Sequence, residues 1–574
     1  MSLVLFDLET GNADLMWQAH DPDYVRLMAY RILPSADVLV TSDHDVMRTV
    51  LTEATALIGH NCLQFDCLAA ARHLGLDVHD LIGKSKDTLV LARLVWPAPH
   101  PHGLDYLGRR YLGAGKQQFI HDDKVITAKK PLDGYAKAWN RTAKLPDPYR
   151  AIPVDDEQYR RYAAQDVALL GPLAEAITSH PLFDARYAER ETAIARVAAG
   201  ITWRGIALDP EGADRAQAAE DRIFAEAKAN LVAAGIEFDK RLGDKGREAL
   251  HQILTEAGFT NLPVTEKSGK PTSSVKELRE HGIDHPLLDE LELVNTCRGL
   301  ASQARKYADP DGICHPSNQA GQRTGRWSVT RPALTTFGKR SERLLEQRSI
   351  FRPRPGHVFV SIDYSAVDIR AMAWASRDPA MIASLQPGKD FHADNAEAFL
   401  GDRGKRKQAK PLGHAIDYNA GPATVAAFMQ CPEEEASEAI WRMKEKFHVL
   451  EGFKNGEIAK ATAPGSSGII ANGLGRWMQV DRDRAHTQCP GLIGQSVARD
   501  VIMRGMLNVA DEGLAGLIAL HVHDEFVIEV AEGDVDDVVP RIVAAMEFTS
   551  RGVPFLVEAG PPAGNWRDCY RGEA

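Results

Sequence analysis

Cysteine is scarce in this chain, with seven cysteines scattered among 574 residues. None lies in a CxxC pair, so neither a disulfide framework nor a cysteine-ligated zinc site is predicted. No apolar run approaches the ~18 residues that a membrane span needs, and we predict no membrane partner. Asp7 interrupts the apolar N-terminus, so no signal peptide is expected. Together these absences predict a reduced protein of the cytoplasm.

The chain also lacks an excess of positive charge, because it contains 68 lysines and arginines and 79 aspartates and glutamates, for a net charge of −11. Nucleic-acid binding nevertheless needs only a local basic surface. The segment 323–354 supplies one, since nine basic minus two acidic residues leave +7. Gly321, Gly325 and Trp327 are interleaved with these charges. That pattern favours a backbone that approaches phosphates over an ordinary solvated loop.

Acidic residues stand out on predicted strands and helices of the first 180 residues. Asp7 and Glu9 follow an apolar strand, and alternation places both on one face. Two carboxylates held together raise each other's pKa unless a cation lies between them. Tyr162 and Asp166 are four residues apart, so they share one face of a predicted helix. Asp66 lies at the start of another predicted helix, and Asp66 or Asp166 alone is equally well explained as a helix cap or a surface charge. For Asp7 and Glu9 the alternative is a solvated edge strand, which the apolar flanks disfavour.

In combination, these acids form DxE (7–9), Nx₃FD (61–66) and Yx₃D (162–166) motifs, in that order. The set resembles the DEDD-type 3′–5′ exonuclease domain in its tyrosine variant. The resemblance implies a ribonuclease H-like sheet, a water-orienting role for Tyr162 and two divalent ions held by Asp7, Glu9, Asp66 and Asp166. Residues 86–97, KDTLVLARLVWP, are predicted as a helix with the DxLxLxRL pattern of phage-polymerase exonuclease domains. Residues 115–155 are predicted as a long surface loop with short helical pieces.

A second acidic site is predicted in the C-terminal half. Residues 358–362 predict a buried strand that ends at Asp363 and is followed by a helix from Ser365 to Ala375. Alone, Asp363 is better explained as a helix cap, with a divalent metal as the alternative partner. Residues 519–530 predict a buried hairpin with Asp524 and Glu525 at its turn. Two further acidic residues at such a turn favour a divalent metal, and not a helix cap, as the explanation of Asp363.

Several segments here resemble motifs of family A DNA polymerases. QRTGRWS (322–328) is similar to the TGR segment in its phage-type form, and GKDFHADNAEAFLG (388–401) to the segment leading into the fingers. IDYSAVDIR (362–370) resembles motif A, GKRKQAKPLGHAIDYN (404–419) motif B and HDE (523–525) motif C. The resemblance covers essentially the whole chain and implies a DNA polymerase I-like protein of Klenow size, without a 5′-nuclease domain.

The family's roles carry over by position. The resemblance implies metal binding by Asp363 and Asp524, supported by Glu525. It implies nucleotide contacts by His392, Arg406, Lys410, His414, Tyr418 and Asp368. It implies DNA contacts by Arg326, Arg370, Gln495 and His523.

The chain also departs from the family pattern. Asp368 stands where the family has a glutamate that blocks a ribose 2′-hydroxyl. His414 replaces an aromatic residue that senses the sugar, and Asn419 replaces a glycine. Pro411 is expected to kink its helix or to mark the first turn. Sugar selection is therefore the least transferable property.

The resemblance implies an α/β multi-domain fold: a ribonuclease H-like exonuclease domain followed by a right-hand polymerase with thumb, palm and fingers. The predicted boundaries are exonuclease 1–180, thumb 181–315, palm 316–395, fingers 396–480 and second palm segment 481–574. Primer–template DNA and dNTPs are the expected partners, with two Mg²⁺ (or Mn²⁺) ions per active site. A monomer in a bacterial cytosol or nucleoid, or in a phage-infected host, is expected, and a replisome partner is not identified.

Three alternatives stay open at this point. One is a 3′–5′ exonuclease with a degenerate polymerase module, and the second is a polymerase that tolerates ribonucleotides. The third is a non-catalytic nucleic-acid-binding protein.

Overall fold

The structure is a computed structural model that describes residues 2–115, 118–128, 130–239, 241–260, 262–265, 269–297, 299–337, 346–429 and 431–570. The chain divides into two compact units. The first contains residues 1–207, 307–335 and 353–574, and the second contains residues 208–306 and 336–352. Within the described part of the chain, no helix is long and apolar enough to cross a bilayer.

A five-stranded mixed sheet organises the N-terminal part of the first unit. Its strands are β1 Leu3–Thr10, β2 Val25–Ile32, β3 Leu39–Thr41, β4 Ala56–Gly59 and β5 Ser85–Asp87. The order is β3-β2-β1-β4-β5, with β1 antiparallel to β2 and parallel to β4. The predicted strand that carries Asp7 and Glu9 is therefore the central strand of the sheet.

Helices surround this sheet because their apolar faces cover it. They are α1 His44–Glu53, α2 Asp66–Leu74, α3 Val78–Lys84, α4 Thr88–Val95, α5 Leu104–Leu107, α6 Pro131–Ala143, α7 Glu157–Thr178 and α8 Ala185–Arg204. The predicted helices at residues 66, 86–97 and 162–166 are confirmed as α2, α4 and α7. Each of α4 and α7 begins after an aspartate whose side chain accepts a backbone N–H of the first turn.

The prediction of a long surface loop over residues 115–155 is wrong in part. The segment contains a short hairpin, β6 Ile120–His121 and β7 Lys124–Val125, and the 13-residue helix α6. Tyr135 and Ala136 are buried against Phe119 in the hydrophobic core of this region. Asp147 is only 5% exposed. Prolines suggested loop structure, but Pro131 lies at the start of α6, where no intrahelical N–H bond is lost.

The second unit is helical. It contains α9 Pro210–Ala233, α10 Asp244–Glu256, α11 Val275–Glu280, α12 Pro286–Thr296 and α13 Leu300–Lys306. Leucines from α9, α10 and α12 form its core. The helical prediction for this stretch is confirmed, although α8 belongs to the first unit.

The rest of the first unit contains the strands β8 Ile206–Ala207, β9 Ile313–Cys314, β10 Ser317–Gln319, β11 Ser328–Thr330, β12 His357–Tyr364, β13 Ile469–Ala471, β14 Trp477–Gln479, β15 Ile518–Val522, β16 Glu525–Ala531, β17 Phe548–Ser550, β18 Val553–Phe555 and β19 Val557–Ala559. Four of them form an antiparallel sheet in the order β15-β16-β12-β19, and the other eight pair two by two. The predicted strand before Asp363 and the predicted hairpin at 519–530 are thus confirmed as β12 and β15–β16.

Nine helices named here pack on and around that sheet. They are α14 Val367–Ser376, α15 Pro379–Ser384, α16 Phe391–Leu400, α17 Arg406–Asp417, α18 Pro422–Met429, α19 Glu433–Lys446, α20 His448–Thr462, α21 Ala485–Asp511 and α22 Val535–Met546. Most residues of the 27-residue α21 and of the shorter α14 are buried, and both helices contribute to one hydrophobic core with β12 and β16. This core fixes the strands whose ends carry the acidic residues.

Candidate active sites

The first acidic site lies on the central strand of the five-stranded sheet. Carboxylate oxygens of Asp7, Glu9 and Asp166 all lie within 4.8 Å of one another. Glu9 and Asp166 are buried, at 6% and 4% exposure. Three carboxylates this close repel one another unless a cation neutralises them, and oxygen ligands are what Mg²⁺ and Mn²⁺ prefer. The trio therefore fits a divalent ion.

Asp66 lies beside this trio without joining it. Its Oδ1 accepts the N–H of Leu8, the residue between Asp7 and Glu9, at 2.9 Å. Burial raises the pKa of Asp66 well above its usual range, against the lowering effect of the Leu8 N–H. The structure thus brings three of the four predicted ligands together and ties the fourth to the same strand. Tyr162 is also buried nearby on α7, with its ring 5.2 Å from that of Phe119.

The second acidic site lies where β12 meets the β15–β16 hairpin. Asp363 pairs directly with Glu525 across the two strands, and the Tyr364 N–H donates to the Asp524 carbonyl at 3.2 Å. The following helix begins at Val367 behind Ala366, so the helix-cap interpretation of Asp363 is wrong. His523, at the hairpin turn, is exposed and has a φ of +60°. Three acids thus converge at one strand end.

Glu525 is held by residues that the sequence motifs do not include. Ser361 Oγ donates to Glu525 Oε1 at 2.9 Å, and the Tyr570 hydroxyl donates to the same oxygen. Trp566 Nε1 in turn donates to the Tyr570 oxygen at 2.7 Å. Glu525 is only 1% exposed, and these donors replace water at its Oε1. The C-terminal NWRDCY segment therefore positions the acidic site.

The cationic residues predicted to contact a nucleotide lie on α16 and α17. Arg406 Nε donates to Asp390 Oδ2 at 2.7 Å, and Asp390 caps the helix that carries His392. His392 is buried, whereas Lys410 is exposed on α17. The side chains of His414 and Pro411 lie outside the described residues. Arg406 and His392 are thus brought together through Asp390.

Tyr418 and Asn419 follow the end of α17. The Tyr418 ring packs so closely on α21 that a Cβ at Gly491 would lie 3.1 Å from it. Asn419 adopts a φ of +52°, a left-handed conformation that asparagine tolerates better than most residues. Its Oδ1 accepts from Lys454 Nζ at 2.7 Å. The backbone geometry therefore explains why asparagine can stand where a glycine is expected.

The predicted DNA contacts have different surroundings. Arg326 Nη2 donates to Asp368 Oδ1 at 2.5 Å, and both side chains are about one-quarter exposed. Gln495 is half-buried on α21. Arg370 is 7% exposed and donates to the carbonyls of Ser365, Leu385 and Pro554 at 2.6–2.9 Å. Arg370 thus has the geometry of a structural arginine, and a DNA contact there stays a prediction. In the basic segment 323–354, Lys339, Arg340 and Arg343 lie outside the described residues.

A buried ion network joins α8, the β13–β14 hairpin and α21. Glu191 pairs with Arg476 at 2.7 Å and also with Arg499. Asp500 pairs with Arg499 at 2.9 Å and accepts from Asn472 at 2.8 Å. Burial opposes ionisation of Asp500, but nearby guanidiniums outweigh it and hold its pKa below the ordinary value. These five residues are at most 3% exposed.

Two glycines, Gly325 of the TGR segment and Gly475 between β13 and β14, have no room for a side chain beside this network. A Cβ at Gly325 of the TGR segment would lie 2.5 Å from the guanidinium carbon of Arg476. A Cβ at Gly475 would lie 2.7 Å from the Tyr187 ring. Both glycines have positive φ, +78° and +123°, which also favours glycine. The network therefore fixes the turn that presents Arg326.

We expect Glu191→Gln to lower the free energy of unfolding by about 3 kcal/mol, because breaking a buried ion pair leaves an uncompensated charge. This expected loss of stability lies at the lower end of the range for broken buried ion pairs, since Asp500 still pairs with Arg499. Urea unfolding measures the change. Glu189→Gln is the matched control, because Glu189 lies on the same helix and its side chain is 62% exposed. A loss as large in the control would contradict the role of the network.

The same network predicts acid sensitivity. The depressed pKa of Asp500 stabilises the fold fully above the unfolded value of about 3.9, and this contribution is lost as pH falls through the folded pKa.

The family model described as DNA polymerase family A matches residues 222–568. The chain is 24% identical to the DNA polymerase of Mycobacterium phage D29, over 98% of this chain and 93% of that protein. It is 25% identical to DNA polymerase I of Rhizobium leguminosarum, over 91% of this chain but 52% of that longer protein.

A solved structure shares the fold. It is the POL domain of Pol1 from M. smegmatis in complex with DNA primer-template and dNTP. The match has a TM-score of 0.74 and 19% sequence identity, and it covers 99% of this chain and 95% of that one.

Proposed function

This chain belongs to DNA polymerase family A, and we propose that its two acidic sites carry out opposite reactions on the same primer end. As a family member, the chain is a DNA-directed DNA polymerase. The site at Asp363, Asp524 and Glu525 adds dNTPs to a primer 3′ end. The site at Asp7, Glu9 and Asp166 removes mismatched nucleotides as a 3′–5′ exonuclease. The observation that carries the proposal is the convergence of Asp363, Asp524 and Glu525 at one strand end.

In the polymerase site, Asp363 and Asp524 would hold two Mg²⁺ or Mn²⁺ ions, and Glu525 would support them. When bound, such ions lower the pKa of the primer 3′-hydroxyl and stabilise the leaving pyrophosphate. The protein's own contribution is rigidity, because Ser361 and Tyr570 fix the Glu525 carboxylate. Preorganised groups of this kind need no rearrangement during the reaction.

The cations of α16 and α17 would bind the triphosphate. Arg406, Lys410 and His392 supply positive charge or hydrogen-bond donors where negative charge develops on the pyrophosphate. Tyr418 would stack near the templating base pair, with His414 close to the sugar. Arg326, Gln495 and His523 would contact the primer–template, with Arg326 in the minor groove.

In the exonuclease site, Asp7, Glu9 and Asp166 would hold the divalent ions, with Asp66 as the fourth acid. Tyr162 would orient the attacking water on the phosphodiester. The mixed order of the five-stranded sheet supports a ribonuclease H-like domain over residues 1–180. Helical structure in residues 208–306 supports a thumb there, and the palm and fingers boundaries stay predictions.

A primer-extension assay with matched and mismatched 3′ ends tests both activities. Extension of the matched primer with four dNTPs, and degradation of the mismatched end before extension, are expected. Degradation without extension would instead support an exonuclease with a degenerate polymerase module.

Asp368 is predicted to influence the choice between dNTPs and NTPs. We expect Asp368→Glu to raise the preference for dNTPs over NTPs about tenfold, because one methylene in a site changes discrimination by roughly 10- to 200-fold. The longer carboxylate would narrow the space for a 2′-hydroxyl. The ratio of kcat/KM for dATP and ATP in single-nucleotide incorporation measures the effect.

Asp483→Glu is the control for that experiment, because Asp483 is exposed and lies outside the predicted site. An unchanged ratio in Asp368→Glu would show that Asp368 does not gate the sugar. Strong dNTP preference in the unaltered protein would remove the ribonucleotide-tolerant alternative.

A further inference from the structure

A basic cleft lies between the end of α4 and the turn that precedes Arg326. Its cavity volume is about 320 Å³, at the lower end of the range of sites that bind small ligands. Three arginines and two histidines line it, and no carboxylate is among the described lining residues. The lining arginines are Arg93, Arg323 and Arg476, and the histidines are His100 and His102.

Arg93 is the arginine of the DxLxLxRL pattern. The aspartate of that pattern, Asp87, is engaged by the backbone N–H groups of Asn61, Leu63 and Leu89 at 2.8–3.2 Å. Within the described residues, Arg93 donates no hydrogen bond and forms no ion pair within 4 Å. Its five N–H donors are thus available to a ligand in the cleft.

Burial lowers the pKa of Arg93, Asp87 opposes this effect, and the positive charge of Arg476 adds to it. An anionic ligand in the cleft would therefore relieve the electrostatic repulsion between the guanidiniums of Arg93 and Arg476.

Arg323 also lines the cleft, on the turn that precedes Arg326. Its Nη1 donates to the Gln479 carbonyl at 3.0 Å, and this is its one hydrogen bond to the described residues. Arg476 is different, because Glu191 already neutralises it at 2.7 Å. The unneutralised charge in the cleft therefore belongs to Arg93 and Arg323.

The shape and the charge together define the ligand. The planar guanidinium fork matches phosphate oxygens, which favours an anion with several oxygens. A double helix, with a major groove alone about 12 Å wide, is too broad for this space. We propose that Arg93 and Arg323 bind a phosphodiester of single-stranded DNA in this cleft. The strand is either the template beyond the primer end or a primer end separated from its template.

Anisotropy of a fluorescein-labelled 20-nucleotide oligo-dT, in EDTA and without nucleotides, tests the proposal independently of catalysis. We expect Arg93→Gln and Arg323→Gln each to weaken binding about tenfold, as for loss of a charge-assisted hydrogen bond. The slope of log K against log salt should fall by about 0.7 for each lost contact. Binding of a blunt duplex should change less than threefold.

Arg541→Gln is the control, because Arg541 is about half-exposed on α22, away from the cleft. Equal losses in the control, or wild-type affinity in both cleft variants, would overturn the proposal. So would loss of inorganic phosphate binding with unchanged oligo-dT binding, since that result assigns the cleft to a free anion. Thermal melts check folding, and Arg323→Gln provides the test if Arg93→Gln is unstable.

Two further substrates identify the strand. If the cleft variants bind only the duplex with a 5′ template overhang more weakly than the unaltered protein does, the cleft holds the template strand. If they bind only the duplex with three mismatched 3′ nucleotides more weakly, the cleft holds the primer strand. Either outcome supports the proposal.

Discussion

Replacing Asp363 with asparagine is expected to slow primer extension by about 10³-fold or more and to leave 3′–5′ degradation unchanged. Asparagine keeps the volume of the side chain but removes the negative charge of Asp363, the residue that pairs with Glu525 across the two strands. A catalytic metal contributes several kcal/mol of transition-state stabilisation, and about 4 kcal/mol corresponds to roughly 10³-fold. Single-turnover incorporation of one dNTP measures the loss.

Asp536→Asn is the matched control, because Asp536 is exposed in the first turn of α22. It should extend primers at the original rate. Unchanged extension in Asp363→Asn would show that this acidic site does not catalyse polymerisation. A loss of both activities would indicate damage to the fold, which a thermal melt would reveal.

The complementary substitution, Asp166→Asn, is expected to slow degradation of a mismatched primer end by about 10³-fold while extension continues. Asp166 is 4% exposed and belongs to the trio whose oxygens lie within 4.8 Å. Removing one carboxylate weakens the hold on a divalent ion, so the energetic argument is the same as for Asp363. Release of labelled mononucleotides in the absence of dNTPs measures the rate.

This variant also has an expected effect on stability. In EDTA, the melting temperature of Asp166→Asn should equal or exceed that of the unaltered protein, because one source of carboxylate repulsion is gone. Glu157→Gln is the control, since Glu157 is exposed at the start of the same helix. Continued degradation by Asp166→Asn would show that the trio is not the nuclease centre.

Together the two substitutions distinguish the remaining interpretations. A polymerase with proofreading loses one activity in each variant. An exonuclease with a degenerate polymerase module would show no extension at the start and would lose its only activity with Asp166→Asn.

The local pattern of the sequence was enough to locate the main elements of both sites. Strand alternation placed Asp7 and Glu9 on one strand, helical spacing placed Tyr162 and Asp166 on α7, and the HDE turn placed Asp524 in a hairpin. Such predictions succeed because the periodicities of strands and helices act between residues two to four positions apart. The prediction of a loop at 115–155 failed for the same reason, since prolines are local signals and the burial of Tyr135 is not.

Only the tertiary structure identified the groups that hold these sites in place. Glu191 reaches Arg499 across 308 residues of sequence, and Tyr570 reaches Glu525 across 45. Folding also buried Arg370 and left the donors of Arg93 facing a cleft, although both are arginines in recognisable motifs. The sequence by itself determined which residues could do acid and metal chemistry, because that depends on side-chain type and spacing. Burial and long-range pairing decided which of them are structural and which are accessible, because desolvation depends on the whole fold.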